Sequence, residues 1–185
     1  MSIYNVSSRY AKALVEISLE KGNFEKIGED VELIYNSLNG SKELRSVLGS
    51  PIIREEKKIS ILDEIFQSHV SPEIMNFMKF IVSKKREDML IDIMRRFIDL
   101  KNDRMNILEV MVESSSDLSV EQKKSMEENL KSKTGKDVKL SFKTDENIIG
   151  GFRLRLKDTV IDASVKHQLE LLRKSFLGEK LISTN

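Results

Sequence analysis

Ile148-Ile149-Gly150-Gly151-Phe152-Arg153-Leu154-Arg155-Leu156-Lys157-Asp158-Thr159-Val160-Ile161-Asp162-Ala163-Ser164-Val165, followed by Gln168-Leu169 and Leu171-Leu172, is the stretch whose pattern decides the fold of this 185-residue chain. Phe152, Leu154 and Leu156 alternate with Arg153, Arg155 and Lys157, so a strand here has one apolar and one cationic face. Lys157-Asp158 predicts a two-residue reversal into a second short strand, although neither position is the glycine such turns favour. Gly150-Gly151 precedes a strand rather than a helix, and no Lys-Ser/Thr follows, which excludes a phosphate loop and a dinucleotide fingerprint. The pair instead predicts a bulge or a close backbone approach at the strand's start. Asp162 or Ser164 is placed to cap a helix whose predicted buried stripe is Val165, Leu169, Leu172 and Phe176. This is scaffold rather than reaction chemistry.

Working upstream, Leu108, Val110 and Val112 alternate with Ile107, Glu109, Met111 and Glu113, a period of two that predicts a strand. Ser114-Ser115-Ser116-Asp117 reads as loop, and Ser119-Val120-Glu121-Gln122 as a capping box opening a helix that ends near Gly135. Val138, Leu140 and Phe142 alternate with Lys139, Ser141 and Lys143. Residues 106–185 thus read as strand, helix, three strands and helix, a small α/β unit.

Residues 1–105 have a different period. Val6, Tyr10, Ala13, Leu14 and Ile17 recur at helical spacing up to Gly22, and Phe24, Ile27, Val31, Ile34 and Leu38 follow up to Asn39-Gly40. A short helix carries Leu44, Val47 and Leu48 before Gly49-Ser50-Pro51, and a fourth carries Ile59, Leu62, Ile65 and Phe66. Ser71-Pro72 predicts an N-cap followed by proline at the first position of a fifth, which Lys84-Lys85-Arg86 terminates. Leu90, Ile93, Met94, Phe97 and Ile98 mark a sixth. The expected fold is mainly α: an N-terminal six-helix bundle over 1–105 followed by a small α/β C-terminal domain.

Composition narrows the function classes. The chain is 39% hydrophobic and 33% charged, which suits a folded, helix-rich protein. Lys+Arg 31 against Asp+Glu 30 lacks the basic excess of a nucleic-acid binder. Without cysteine there is neither a disulfide framework nor a thiolate metal site. No apolar run approaches the roughly 20 residues that span a bilayer, and Met1-Ser2-Ile3-Tyr4-Asn5 lacks the features of a signal peptide, so a cytoplasmic protein is expected.

Catalytic candidates are few. His69 and His167 are the two histidines, far apart in sequence, and read as polar positions beside a loop and on a helix. Glu55-Glu56-Lys57-Lys58 reads as the solvated first turn of a helix. No catalytic residue, metal site or cofactor is expected. Helix five stands out: Ile74, Phe77, Met78 and Ile81 form one stripe, and Met75, Phe80 and Val82 widen the arc beyond what one-sided packing needs. It is either a central bundle helix or one wall of a groove for a partner's amphipathic helix. Helix one has a second face of small residues, Ala11, Val15 and Ser18.

Three segments resemble one family. Arg9-Tyr10-Ala11-Lys12-Ala13-Leu14 looks like the opening helix of the delta subunit of F-type ATP synthase, the counterpart of the mitochondrial oligomycin-sensitivity-conferring protein. Leu48-Gly49-Ser50-Pro51-Ile52-Ile53, with Lys57-Lys58 and Leu62, is similar to its proline-centred junction. Ile149-Gly150-Gly151-Phe152 through Val160-Ile161-Asp162-Ala163-Ser164-Val165 is the most specific match, with Gly150, Gly151, Asp162 and Ser164 as its structural motif. Ala163 stands where the family often has glycine, and Ser114-Ser115-Ser116 replaces an alanine-containing segment. The resemblance implies a non-catalytic stator linking the catalytic head to the peripheral stalk, so that rotor torque is coupled to ATP synthesis by ion translocation. The helical domain would grip the N-terminal helix of an α subunit in a groove between helices one and five, at Tyr10, Ala11, Leu14, Ile74, Phe77, Met78 and Ile81. The C-terminal domain would bind the b subunits, holding the chain peripherally at the cytoplasmic face of the cell membrane. The competing expectation is a helical RNA-binding module of the transcription-antitermination type. A hydrolase would need a paired-carboxylate cleft.

Overall fold

A computed structural model describes residues 3–156 and 159–177, divided into two compact units between Arg104 and Met105. The first holds α1 (Ile3–Glu20), α2 (Phe24–Gly40), α3 (Lys42–Gly49), α4 (Glu55–Phe66), α5 (Pro72–Ser83) and α6 (Leu90–Arg104), with a 3-10 turn at Glu87–Met89 before the last. The predicted stripes of α2 and α6, Ile27, Val31, Ile34 and Leu38 with Leu90, Ile93, Met94, Phe97 and Ile98, belong to one core to which all six helices contribute. Phe24 rests against Phe97 with ring centroids 6.0 Å apart. Gly22 closes α1 at φ 67°, a conformation glycine adopts without a Cβ penalty.

Two local expectations need correction. Lys58 is not part of a solvated turn: it is buried and paired with Glu87 of the 3-10 turn. Position 58 lies on the same face of α4 as Leu62, and the pairing makes burial of the charge tolerable. Ser71 does occupy the N-cap of α5, but its side chain makes no capping bond. Its backbone N–H instead donates to Oδ2 of Asp30 at 2.7 Å, a buried carboxylate on α2 that Lys26 also approaches at 3.5 Å. A carboxylate at the positive end of α5 does the work of a cap from another helix.

The second unit contains β1 (Ile107–Ser114), α7 (Val120–Thr134), β2 (Asp137–Thr144), β3 (Gly151–Leu156), β4 (Thr159–Ser164) and α8 (Val165–Phe176). The four strands are ordered β2-β1-β3-β4. β1 and β2 are parallel with Val110 opposite Leu140, as a helical crossover requires, while β3 is antiparallel to β1 and β4. Val110, Val112 and Leu154 make a small core with Met126 and Leu130 of α7. Both capping-box bonds are present: Gln122 N donates to Ser119 Oγ at 3.2 Å, and Ser119 N to Gln122 Oε1 at 2.8 Å. Gly151 has φ +79°, and a Cβ there would stand 2.5 Å from the Ala163 carbonyl oxygen, so a close backbone approach is what the glycine pair provides. The predicted Lys157-Asp158 reversal lies outside the described residues.

The stripe of α8 is the largest departure from expectation. Val165, Leu169, Leu172 and Phe176 are all exposed, Phe176 by 88%, and no residue of α8 is buried. The unit's core is formed by α7 and the strands, and among its described elements α8 packs chiefly on the edge strand β4. The amphipathic face is real, but among the described residues of this unit nothing covers it.

Candidate functional site

In the helical unit, α1 turns a row of small residues inward. Ser7, Ala11, Leu14 and Ser18 are buried, on the side from which α1 packs against α6. The two hydroxyls are satisfied within the helix, Ser7 Oγ donating to Tyr4 O at 3.2 Å and Ser18 Oγ to Val15 O at 2.7 Å, so their burial leaves no orphan group. With that face spent on the core, Tyr10, Ala13 and Ile17 are left lining the cleft toward α5.

α5 faces them with Phe77 and Phe80, while Ile74, Met75, Met78, Ile81 and Val82 go to the core. Between the two helices lies a groove of about 380 Å³. Tyr10 and Phe80 meet edge to face at 6.3 Å and 68°, and Lys84 Nζ sits 5.3 Å from the Phe80 centroid. Asn23, Lys21, Glu73 and Asn76 add polar groups to the lining.

The seven residues expected at a groove therefore separate. Tyr10, Leu14 and Phe77 line it, whereas Ala11, Ile74, Met78 and Ile81 are fully buried in the bundle core behind it. Ala13, Ile17 and Phe80 complete the apolar lining. Phe80 carried a signal, as one of the residues that broaden the apolar arc of α5, and Ile17 another, as part of the larger stripe of α1.

In the second unit a cleft of about 630 Å³ lies between α7 and β3, lined by Leu118, Met126, Leu130, Phe152 and Leu154, and a separate apolar surface runs along α8. Ile149, 81% exposed, and Val165, Leu169 and Arg173 border one shallow pocket, from which the stripe continues to Leu172 and Phe176. The base of α8 is held firmly. Ser164 caps it by accepting from His167 N at 3.2 Å, and Val165 N donates to Gly150 O at 3.0 Å. Asp162 accepts from Ser164 N at 2.9 Å and from Arg153 Nε at 3.3 Å. The Ser164 hydroxyl, with the Ser164 N–H and Arg153, holds the Asp162 carboxyl below its usual range. Gly150, Gly151, Asp162 and Ser164 thus converge at one joint, where β3 begins and β4 passes into α8. His69 is exposed and His167 half-buried. Among the described residues no group of acidic, histidine or cysteine side chains could hold a metal ion.

Against known families, residues 6–176 match the model described as ATP synthase delta (OSCP) subunit. The chain belongs to this family. It is 39% identical over 179 residues to ATP synthase subunit delta of Chlorobaculum tepidum, covering 97% of this chain and 99% of that one. The corresponding subunit of Chloroherpeton thalassium is 32% identical, with 97% and 98% covered. A chain of the Toxoplasma gondii mitochondrial ATP synthase hexamer, solved by cryo-EM, superposes with a TM-score of 0.71 at 26% identity over 92% of this chain and 97% of that chain. As a delta (OSCP) family member this is a non-catalytic subunit associated with the ATP synthase complex, and the RNA-binding alternative has no support. Among the described residues no helix is long and apolar enough to cross a membrane.

Proposed function

We propose that the helical unit grips the N-terminal helix of an ATP synthase α subunit in the α1–α5 groove, and that the second unit binds the b subunits through the α8 face. The chain then works as a stator brace at the cytoplasmic face of the cell membrane, held there through the b subunits. The observation that carries the reading is the uncovered apolar surface: Ile17 and Phe80 beside the groove, and Ile149, Leu169, Leu172 and Phe176 on the other unit, are all exposed. Contiguous apolar surface of this kind marks an interaction site. Grooves of this shape take the apolar face of an amphipathic helix.

A brace performs no bond chemistry; it must resist the torque that rotor motion exerts on the head. Two contacts on one chain suit that task, because each one formed raises the effective concentration for the other. Interfaces of ordinary size, on the order of 800 Å² per partner, suffice. Burial of the two apolar surfaces drives association at about 25 cal/mol/Å², less the ordering of the incoming segments.

Co-purification tests the reading. Tagged full-length protein recovered from membranes after a salt wash should retain both α and b. A Phe77→Asp variant should retain b and lose α. Retention of neither partner by the unaltered protein, or of α by the variant as well, would remove the groove assignment.

A further inference from the structure

The groove is apolar at its Tyr10–Phe80 end and polar farther along. Asn23 follows α1, and its backbone N–H donates to Ser18 O at 3.0 Å. That bond sets it beside the last turns of α1, roughly 12 Å along the helix axis from Tyr10 at about 1.5 Å per residue. Asn23 occupies the N-cap of α2, where an asparagine oxygen ordinarily accepts from free N–H groups of the first turn. Here the side chain makes no such bond. Among the described residues its buried Oδ1 has no hydrogen-bond partner, and the residue lines the groove. Native interiors pair the large majority of such groups. The residue has forgone its own cap while standing in the wall of a docking groove.

We propose that Asn23 is a specificity-determining residue of this groove, accepting a hydrogen bond from a side-chain N–H or O–H donor at the end of the docked helix's apolar stripe. The inference deepens the groove reading above and rests on it. The side chain is half-buried and its terminal torsion is broad, so the amide can turn toward an occupant. A helix shifted by one turn, or apolar throughout, would leave the amide oxygen as unpaired as it is in the unbound protein and would bind more weakly for that reason. A helix in the correct register supplies the missing donor. Discrimination by an unpaired polar group is sharper than discrimination by apolar fit alone.

The test uses full-length protein, a synthetic peptide of the α-subunit N-terminal segment and calorimetry, with each polar side chain of the peptide replaced in turn by alanine. On the unaltered protein, one replacement should weaken binding by about tenfold. On Asn23→Leu the same replacement should change affinity by less than about twofold. Asn23→Ser, too short to reach an occupant, is run alongside in case leucine impairs folding. The side-chain amide resonance of Asn23 in the unaltered protein should shift with the native peptide and stay in place with the replaced one. If the unaltered protein binds the peptide but treats every polar replacement alike, or if the variants keep the tenfold preference, Asn23 has no such role and the groove reading survives. If the unaltered protein binds no peptide, the groove reading fails and the Asn23 inference fails with it.

Discussion

Replacing Phe80 by alanine isolates the contribution of the groove. Phe80 remains 46% exposed beside Tyr10. A phenylalanine presents on the order of 200 Å², so an occupant covering the exposed part removes about 90 Å² from water. At about 25 cal/mol/Å² that is about 2 kcal/mol, or roughly a thirtyfold change in the dissociation constant. The unbound protein loses the edge-to-face contact with Tyr10, about 0.5–1.5 kcal/mol, and little core packing. The assay pairs calorimetry, using the α-subunit N-terminal peptide, with urea unfolding of the same preparation. Ile52, which is 89% exposed on the α3–α4 connection and outside the groove lining, serves as the control. Ile52→Ala should leave affinity unchanged. The reasoning is refuted if Phe80→Ala binds as tightly as the unaltered protein, or if Ile52→Ala weakens binding equally.

Other outcomes follow from the second unit. Leu172→Asp, at a position 54% exposed, should change stability by no more than about 0.5 kcal/mol; in a pull-down it should abolish capture of the soluble C-terminal part of a b subunit, and retained capture would count against the α8 face. Gly151→Ala should destabilise the protein by at least about 2 kcal/mol in denaturant melts, because its Cβ would meet the Ala163 carbonyl at 2.5 Å with φ at +79°. Asp162 contributes to acid stability. Hydrogen bonding by the Ser164 hydroxyl, followed by the Ser164 N–H and Arg153, lowers its folded pKa. A depressed carboxyl pKa gives stability that is complete above the unfolded value of about 3.9 and lost as pH falls through the folded value. Asp162→Asn should therefore flatten the acid limb of the stability curve below about pH 4, measured by thermal melts across pH, and an unchanged limb would contradict the assignment.

Legibility in the sequence tracks the range of the interaction concerned. The Ser119–Gln122 box was readable because both partners lie within one turn, and its two bonds are where the spacing put them. The strand alternation of Val138, Leu140 and Phe142 was readable for the same reason. Lys58 was not, since its partner Glu87 lies on an element 29 residues away and only the tertiary fold brings them together. The groove fell between these cases. Ile74, Phe77, Met78 and Ile81 share one apolar arc, and periodicity cannot divide such an arc into the part facing the core and the part facing α1. Helix one carried its own ambiguity: the larger stripe looked like the buried one, yet close approach to α6 selects the face of Ser7, Ala11 and Ser18. The α8 stripe shows where periodicity stops being informative. A 4-3-4 spacing of apolar residues announces that a face will be covered and is silent about which chain covers it.

The small inward face of α1 has a final consequence. Because Ala11 is fully buried on the side that packs against α6, α1 is seated by the shortness of its hidden side chains. A bulkier residue at position 11 would push the whole rod forward, and its front edge is one bank of the channel where a visitor is meant to lie. Such a change would narrow the channel from behind, without touching any atom that meets the visitor. A lesion of that kind would show itself as failed assembly together with a lowered unfolding temperature, since overpacking a buried position costs about 1–3 kcal/mol.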